Sequence, residues 1–229
     1  LLFYRGEIVD DLLGADISHN TYIQKADIII FHWVNSFVSA GTVKKLIKLH
    51  KPMIWVMHDM WIFTGGCHYD AYCGRYEQGC GNCPFLDRRS GKDISYNNLK
   101  RKQALYAQAD ITFVAISRWE EDCALRSTAL KGKKVIRISN PVNTDIFRPL
   151  DRDELRKRYG ISTNKVILFG ADKALENPTK GFRYLVEALQ YLNDSDYQAV
   201  CFGRATNTSA ILYHSANPSS SAMISRYCI

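Results

Sequence analysis

PMIWVMHD, residues 52–59, sets five apolar residues in a row between Pro52 and the polar pair His58–Asp59. A continuous apolar run of this length suits a strand buried on both faces, as in parallel sheets. The design recurs along the chain. ADIIIF (26–31) runs into His32, DITFVAI (110–116) into Ser117, and KVIRI (134–138) into Ser139 and Asn140. KVILFG (165–170) stops at Gly170 and YQAVCFG (197–203) at Gly203. Helical patterns lie between these runs. SAGTVKKLIKLH (39–50) sets Val43, Leu46, Ile47 and His50 on one face, and RWEEDCALRSTAL (118–130) follows Ser117, a capping residue. DRDELRKRYG (151–160) opens on acids and closes on Gly160, and KGFRYLVEALQYL (180–192) completes the series. Alternating strands and helices predict a doubly wound α/β fold. Ligands of such sheets lie beyond the carboxyl ends of the strands. That rule selects His32, His58, Asp59, Ser117, Asn140 and Gly170.

The chain has 229 residues, 46% of them hydrophobic, which suits a packed core and argues against global disorder. Its formal net charge of +7 points to an anionic partner. Lys44, Lys45 and Lys48 line one side of a helix, and Arg88, Arg89, Lys92, Lys100, Arg101 and Lys102 make the same half basic. Together they suit peripheral contact with an anionic membrane, and singly they suit solvated faces. No apolar run is long enough to span a bilayer. A cytoplasmic, reducing setting is expected, with contact at the inner face of the membrane.

NPVNTDIFRP (140–149) reads as a link between domains, with 1–149 before it and 150–205 after it. The stretch 206–229 is Ser-rich without Asp or Glu, and fits neither strand nor helix. It reads as a disordered tail or the product of a frame change.

GCHYDAYCGRYEQGCGNCP (66–84) gathers four of the seven cysteines in the spacing C-x5-C-x6-C-x2-C. Two thiolates two residues apart, as in Cys80 and Cys83, suit one metal ion. Cys67, Cys73, Cys80 and Cys83 together would close a tetrahedral shell, which makes any bound Zn2+ structural. His68 is an alternative ligand, and free thiols in a surface loop are the other reading. Cys123, Cys201 and Cys228 read as packing or tail residues.

Several of these segments, in this order, resemble one family. HDMWIFTGGCHY with GCGNCP, AISRW (115–119), ISNPVNTDIFRP (138–149) and TKGFRYLVEAL (179–189) are similar to the family 4 (group 1) retaining glycosyltransferases of the GT-B fold. Bacterial members that build surface polysaccharides are the nearest likeness. The resemblance covers roughly residues 20 to 203 and stops short at both ends. It implies a Rossmann-type acceptor domain missing its first strand, then an incomplete donor domain of the same type.

The resemblance implies transfer of a sugar, of hexosyl type, from a nucleotide-diphosphate sugar to a saccharide or lipid-linked acceptor. Configuration is retained and no catalytic metal takes part. His58 would act on the reacting sugars, and His32, Asp59, Thr64, Gly65 and Gly66 would line the acceptor side. The glycines also suit a simple chain reversal. Lys180 stands where a helix begins, so its cation adds to the unpaired amides there to make a diphosphate site. Gly170, Lys173 and Gly181 complete the expected donor set, with Lys173 in place of the family's loop arginine. Two rivals remain at this stage: an inactive fragment, and a zinc-stabilised nucleic-acid-binding module. The scattered basic residues favour no nucleic acid as partner.

Overall fold

The computed structural model describes residues 11–171, 180–192, 196–205, 208–213 and 224–226. It divides into two compact units, Leu1–Val142 and Asn143–Ile229. The first holds α1 (Thr21–Lys25), β1 (Ile29–His32), α2 (Ala40–Ile47), β2 (Met53–Met57), α3 (Ile94–Ala107), β3 (Ile111–Ala115), α4 (Arg118–Arg126) and β4 (Lys134–Arg137). The four strands form one parallel sheet in the order β1-β2-β3-β4. Its register pairs Phe31 with Trp55, and Trp55 with Phe113.

Helices start where side chains satisfy their open amides. Ser39 accepts from the Thr42 amide at 3.1 Å, Asp93 from the Ser95 amide at 3.0 Å, and Ser117 from the Glu120 amide at 3.1 Å. Each such cap contributes about 1 kcal/mol. The core is aromatic at its centre. Trp55 lies 4.7 Å from Phe31, 5.9 Å edge-on from Tyr106 and 6.4 Å from Phe113, centroid to centroid. Such pairs add about 0.5–1.5 kcal/mol each beyond the area they bury.

Strand burial departs from the sequence expectation. On β1 and β2 it alternates: Ile29, Phe31, Met53, Trp55 and Met57 are buried, while Ile30 and His32 are exposed and Ile54 and Val56 half-buried. The strand order explains this. Neighbours in sequence are neighbours in the sheet, and right-handed crossovers of that kind stack their helices on one face. On β1 and β2 one face is therefore the better covered, where apolar runs alone had suggested two, while β3 buries Val114 on the other face as well.

The second unit holds α5 (Arg152–Arg158), β5 (Lys165–Gly170), α6 (Phe182–Gln190), β6 (Tyr197–Ala205), β7 (Thr208–Tyr213) and β8 (Ile224–Arg226). Its sheet is mixed: β5 and β6 run parallel, and β7 and β8 add antiparallel. The stretches 208–213 and 224–226 are thus strands, against the reading of 206–229 as a tail without regular structure. TSAILY has the short apolar content a ladder needs, and its serine-rich surroundings hide it. Among the described residues, no helix is long and apolar enough to cross a membrane.

Candidate active site

The carboxyl ends of β1 and β2 bring three of the selected residues together. His32 closes β1, and His58 and Asp59 follow β2. The two imidazoles are exposed, and Nδ1 of His32 stands 3.1 Å from Nε2 of His58. One ring nitrogen must carry the proton that the other accepts, so each ring fixes the other's tautomer.

Asp59 is buried and accepts three hydrogen bonds. The Trp61 amide donates to Oδ1 at 2.8 Å, while Trp33 Nε1 and His68 Nδ1 each reach Oδ2 at 2.7 Å. Burial pushes the carboxyl upward, but the bonds from His68, the Trp61 amide and Trp33 outweigh it and hold Asp59 below the ordinary carboxylate range. Asn35 adds a contact of 3.3 Å to the same His68 nitrogen. Trp33 has φ of 33°, a left-handed backbone that a bulky residue adopts only when its surroundings hold it there. Its side chain is tied to Asp59. The indole remains 61% exposed, an apolar plate whose ring centre lies 6.1 Å from that of His68.

Glu120 is a rim residue that sequence reasoning missed. It is 3% exposed and accepts the Ile116 amide at 2.8 Å, just beyond β3. Burial raises its carboxyl to about 7, opposed by the Ile116 bond and aided by the charge of Asp59. The signal was in the text: Ser117-Arg-Trp-Glu120 is a capping-box spacing. Trp33, Asn35 and His68 were missed as well, because each acts through a partner distant in sequence.

Other expected residues fall elsewhere. Thr64, Gly65 and Gly66 are buried. The Thr64 hydroxyl donates to the Cys67 carbonyl at 2.7 Å, and the Gly65 carbonyl accepts from Asn98 at 3.0 Å. A side chain at Gly65 would meet the Ser95 carbonyl oxygen at 2.4 Å, so close packing against α3 requires glycine there. These residues brace the loop. His68, an alternative metal ligand by sequence, bonds Asp59 through Nδ1. Ser117 caps α4, and Asn140 is exposed beyond β4.

Lys102 is no surface cation. It is 2% exposed, donates to the carbonyls of Trp61 and Thr64, and stands 3.9 Å over the Trp61 ring. Burial lowers its ammonium to about 8. Arg101 is half-buried and paired with Asp11 at 2.8 Å.

In the second unit, Gly170 ends β5 under the Phe202 ring, which a side chain there would strike at 2.0 Å. Lys180 is exposed and precedes Gly181, the N-cap of α6, whose φ is 74°. Among the described residues no side chain caps that helix. Lys173 lies outside the described residues.

The cysteine-rich loop leaves β2 and packs under the first turn of α3. Cys67, Cys73, Cys80 and Cys83 are free thiols. Burial pushes the thiols of Cys67 and Cys80 up to about 12 and raises that of Cys83. Among the described residues no group of three or more His, Cys, Asp or Glu is arranged to hold a metal ion as the side chains stand.

No protein-family model matches the chain. A stretch of 59 residues is 34% identical to WcaC of Escherichia coli (strain K12), described as a glycosyl transferase of colanic acid biosynthesis. That stretch covers 24% of this chain and 14% of WcaC. Among solved structures, Anabaena Alr3699/HepE in complex with UDP and glucose aligns over 80% of this chain and 41% of its own, with a TM-score of 0.48 and 16% identity. The chain covers less than half the length of either protein.

Proposed function

We propose that the chain is part of a glycosyltransferase that moves a sugar from a nucleotide-diphosphate sugar to a saccharide or lipid-linked acceptor. The observation that carries this reading is the rim of the first sheet, where His32, His58 and Asp59 gather at the carboxyl ends of adjacent parallel strands. The similarity to WcaC supports it. Two imidazoles and an exposed indole offer hydrogen bonds and an apolar plate to a polyhydroxylated ligand. The first unit would hold the acceptor, with His58 orienting the reacting hydroxyl.

The second unit would hold the donor. The N-terminus of α6 would turn its positive end toward phosphate oxygens, and Lys180 adds a full charge beside it. Lys173 and Gly170 would complete that side. As the donor bond breaks, negative charge grows on the leaving diphosphate, and fixed donors there stabilise the transition state. Retention of configuration, a hexosyl donor and a role in surface polysaccharide assembly belong to the same reading. So does a cytoplasmic site at the inner membrane face, reached through exposed Lys44, Lys48, Arg88 and Arg89.

The test is donor turnover by the protein that contains this chain. Nucleoside diphosphate release is followed over a panel of nucleotide sugars, with and without saccharide acceptors. Lys180→Ala should lower the rate about 100-fold or more, and His58→Ala should reduce kcat more than it raises KM. No release from any donor, or a Lys180→Ala rate equal to wild type, overturns the reading.

A further inference from the structure

The four thiols of the loop after β2 line one cavity. Cys67, Cys73, Cys80 and Cys83 share its wall with Arg75 and Ser95, and its volume is about 10 Å3. That is room for one body the size of a water molecule. Residues spread over seventeen positions of a loop without strands do not line so small a space unless the fold draws them in.

Burial disfavours free sulfur anions here, so a bound cation is what would stabilise them. The Gly65 backbone lies close enough to the Cys80 sulfur, and the Phe85 backbone to the Cys83 sulfur, to favour a sulfur anion at each. Backbone groups close to sulfur are the outer contacts that orient thiolate ligands around a metal. Charge is matched too. Four thiolates around a divalent ion leave two negative charges, and two cations stand by. Arg75 lies on the cavity wall, and the buried Lys102 ammonium acts on both Cys67 and Cys80.

The backbone is already shaped. Cys80, Gly81 and Asn82 have φ of 58°, 94° and 49°, a run of left-handed conformations. Three bonds pin it: Gly81 N to Ser95 Oγ at 3.0 Å, Asn82 N to Ser90 O at 2.7 Å, and Cys83 N to Asp93 Oδ2 at 2.8 Å. Non-glycine residues held so cost about 1–3 kcal/mol each, and such strain persists at sites where a ligand shares the constraint. The thiols do not yet stand in ligating geometry. A cysteine sulfur turns about χ1 alone, so convergence on an ion is a side-chain rearrangement.

We propose that Cys67, Cys73, Cys80 and Cys83 bind one zinc ion in a closed tetrahedral shell. Four S–H bonds break, four protons leave to solvent, four metal–sulfur bonds form, and nothing is oxidised or reduced. Thiolate donors in tetrahedral array select zinc among common divalent ions, and a full shell leaves no position for catalysis. The ion is structural. It would anchor the loop at Cys67, next to the His68 that reaches Asp59.

Metal analysis and thiol titration on the whole chain, purified without added metal, test this independently of any transferase activity. Expected are about one zinc per chain and four thiols shielded until a mercurial strips the ion. Cobalt exchange should give a thiolate-to-cobalt charge-transfer band. Cys80→Ser and Cys83→Ser should lower zinc affinity about tenfold or more, while Cys123→Ser leaves it unchanged. Less than about a tenth of an equivalent with all four thiols reactive, or two disulfides in their place, overturns the proposal. Should the serine variants not fold, the cobalt spectrum of the wild-type chain decides.

Discussion

Glu120→Gln removes a proton site from the rim without changing its shape. The side chain is 3% exposed, and its carboxyl is raised from 4.5 to about 7 by burial. The native state therefore keeps a proton that the unfolded chain gives up in that interval. Wild-type stability falls as pH rises from about 4.5 to about 7, because the folded state binds more protons there. At about 1.4 kcal/mol per pH unit, the interval comes to about 3 kcal/mol. Glutamine cannot titrate, and its carbonyl can still accept the Ile116 amide. Urea unfolding of both proteins, read by tryptophan fluorescence, should give equal stabilities near the acid end of the window. By about pH 8 the variant should be more stable by roughly 3 kcal/mol. Asp59, held below the ordinary carboxylate range, stays ionised across this window and adds little slope to it. A stability difference that does not change with pH would refute the assignment of Glu120 as a buried acid.

Gly65→Ala should destabilise the first unit by about 1–3 kcal/mol, since the new methyl meets the Ser95 carbonyl oxygen at 2.4 Å and its carbon at 2.8 Å. A melting temperature within error of wild type would show that the start of α3 gives way freely. A double-mutant cycle between Asp59→Asn and Trp33→Phe should return a coupling of about 1–2 kcal/mol, and a coupling near zero would mean that the indole bond does not hold the left-handed backbone of Trp33. Lys102→Met should erase a gain in stability that wild type shows as pH rises above about 8. The lowered ammonium there binds fewer protons than the unfolded chain, so parallel pH profiles for the two proteins would place Lys102 in solvent.

The strands of the first unit were legible because a parallel strand writes its burial into a run of neighbouring residues. The helix α3 was not. Its inward positions are Ser95, Asn98, Leu99, Lys102, Leu105 and Tyr106, half of them polar, so no apolar stripe marks its face. The same fact hid the role of Lys102. A lysine inside a basic run reads as surface, and only the carbonyls of Trp61 and Thr64, about forty residues away in sequence, explain why it is inside. Those carbonyls belong to the turn after β2, and α3 supplies a buried donor to both.

The rim follows a similar logic. The rule of strand ends found His32, His58 and Asp59, since it depends on position within a sheet and not on side-chain partners. It could not find His68 or Trp33, because what ties them to Asp59 is geometry made by a turn and a loop. His68 follows Cys67 directly, and the loop returns it to the rim through the bond from the Met60 amide to the His68 carbonyl at 3.0 Å. The thiol cavity and the rim therefore share one short length of backbone. Whatever sets the order of the cysteine loop sets the position of His68, and through it one of the three bonds that keep Asp59 ionised. The Trp61 amide is fixed by its own turn, while the imidazole depends on the loop. That asymmetry predicts that disordering the cysteine loop would raise the Asp59 carboxyl toward its ordinary range without unfolding the sheet beneath it.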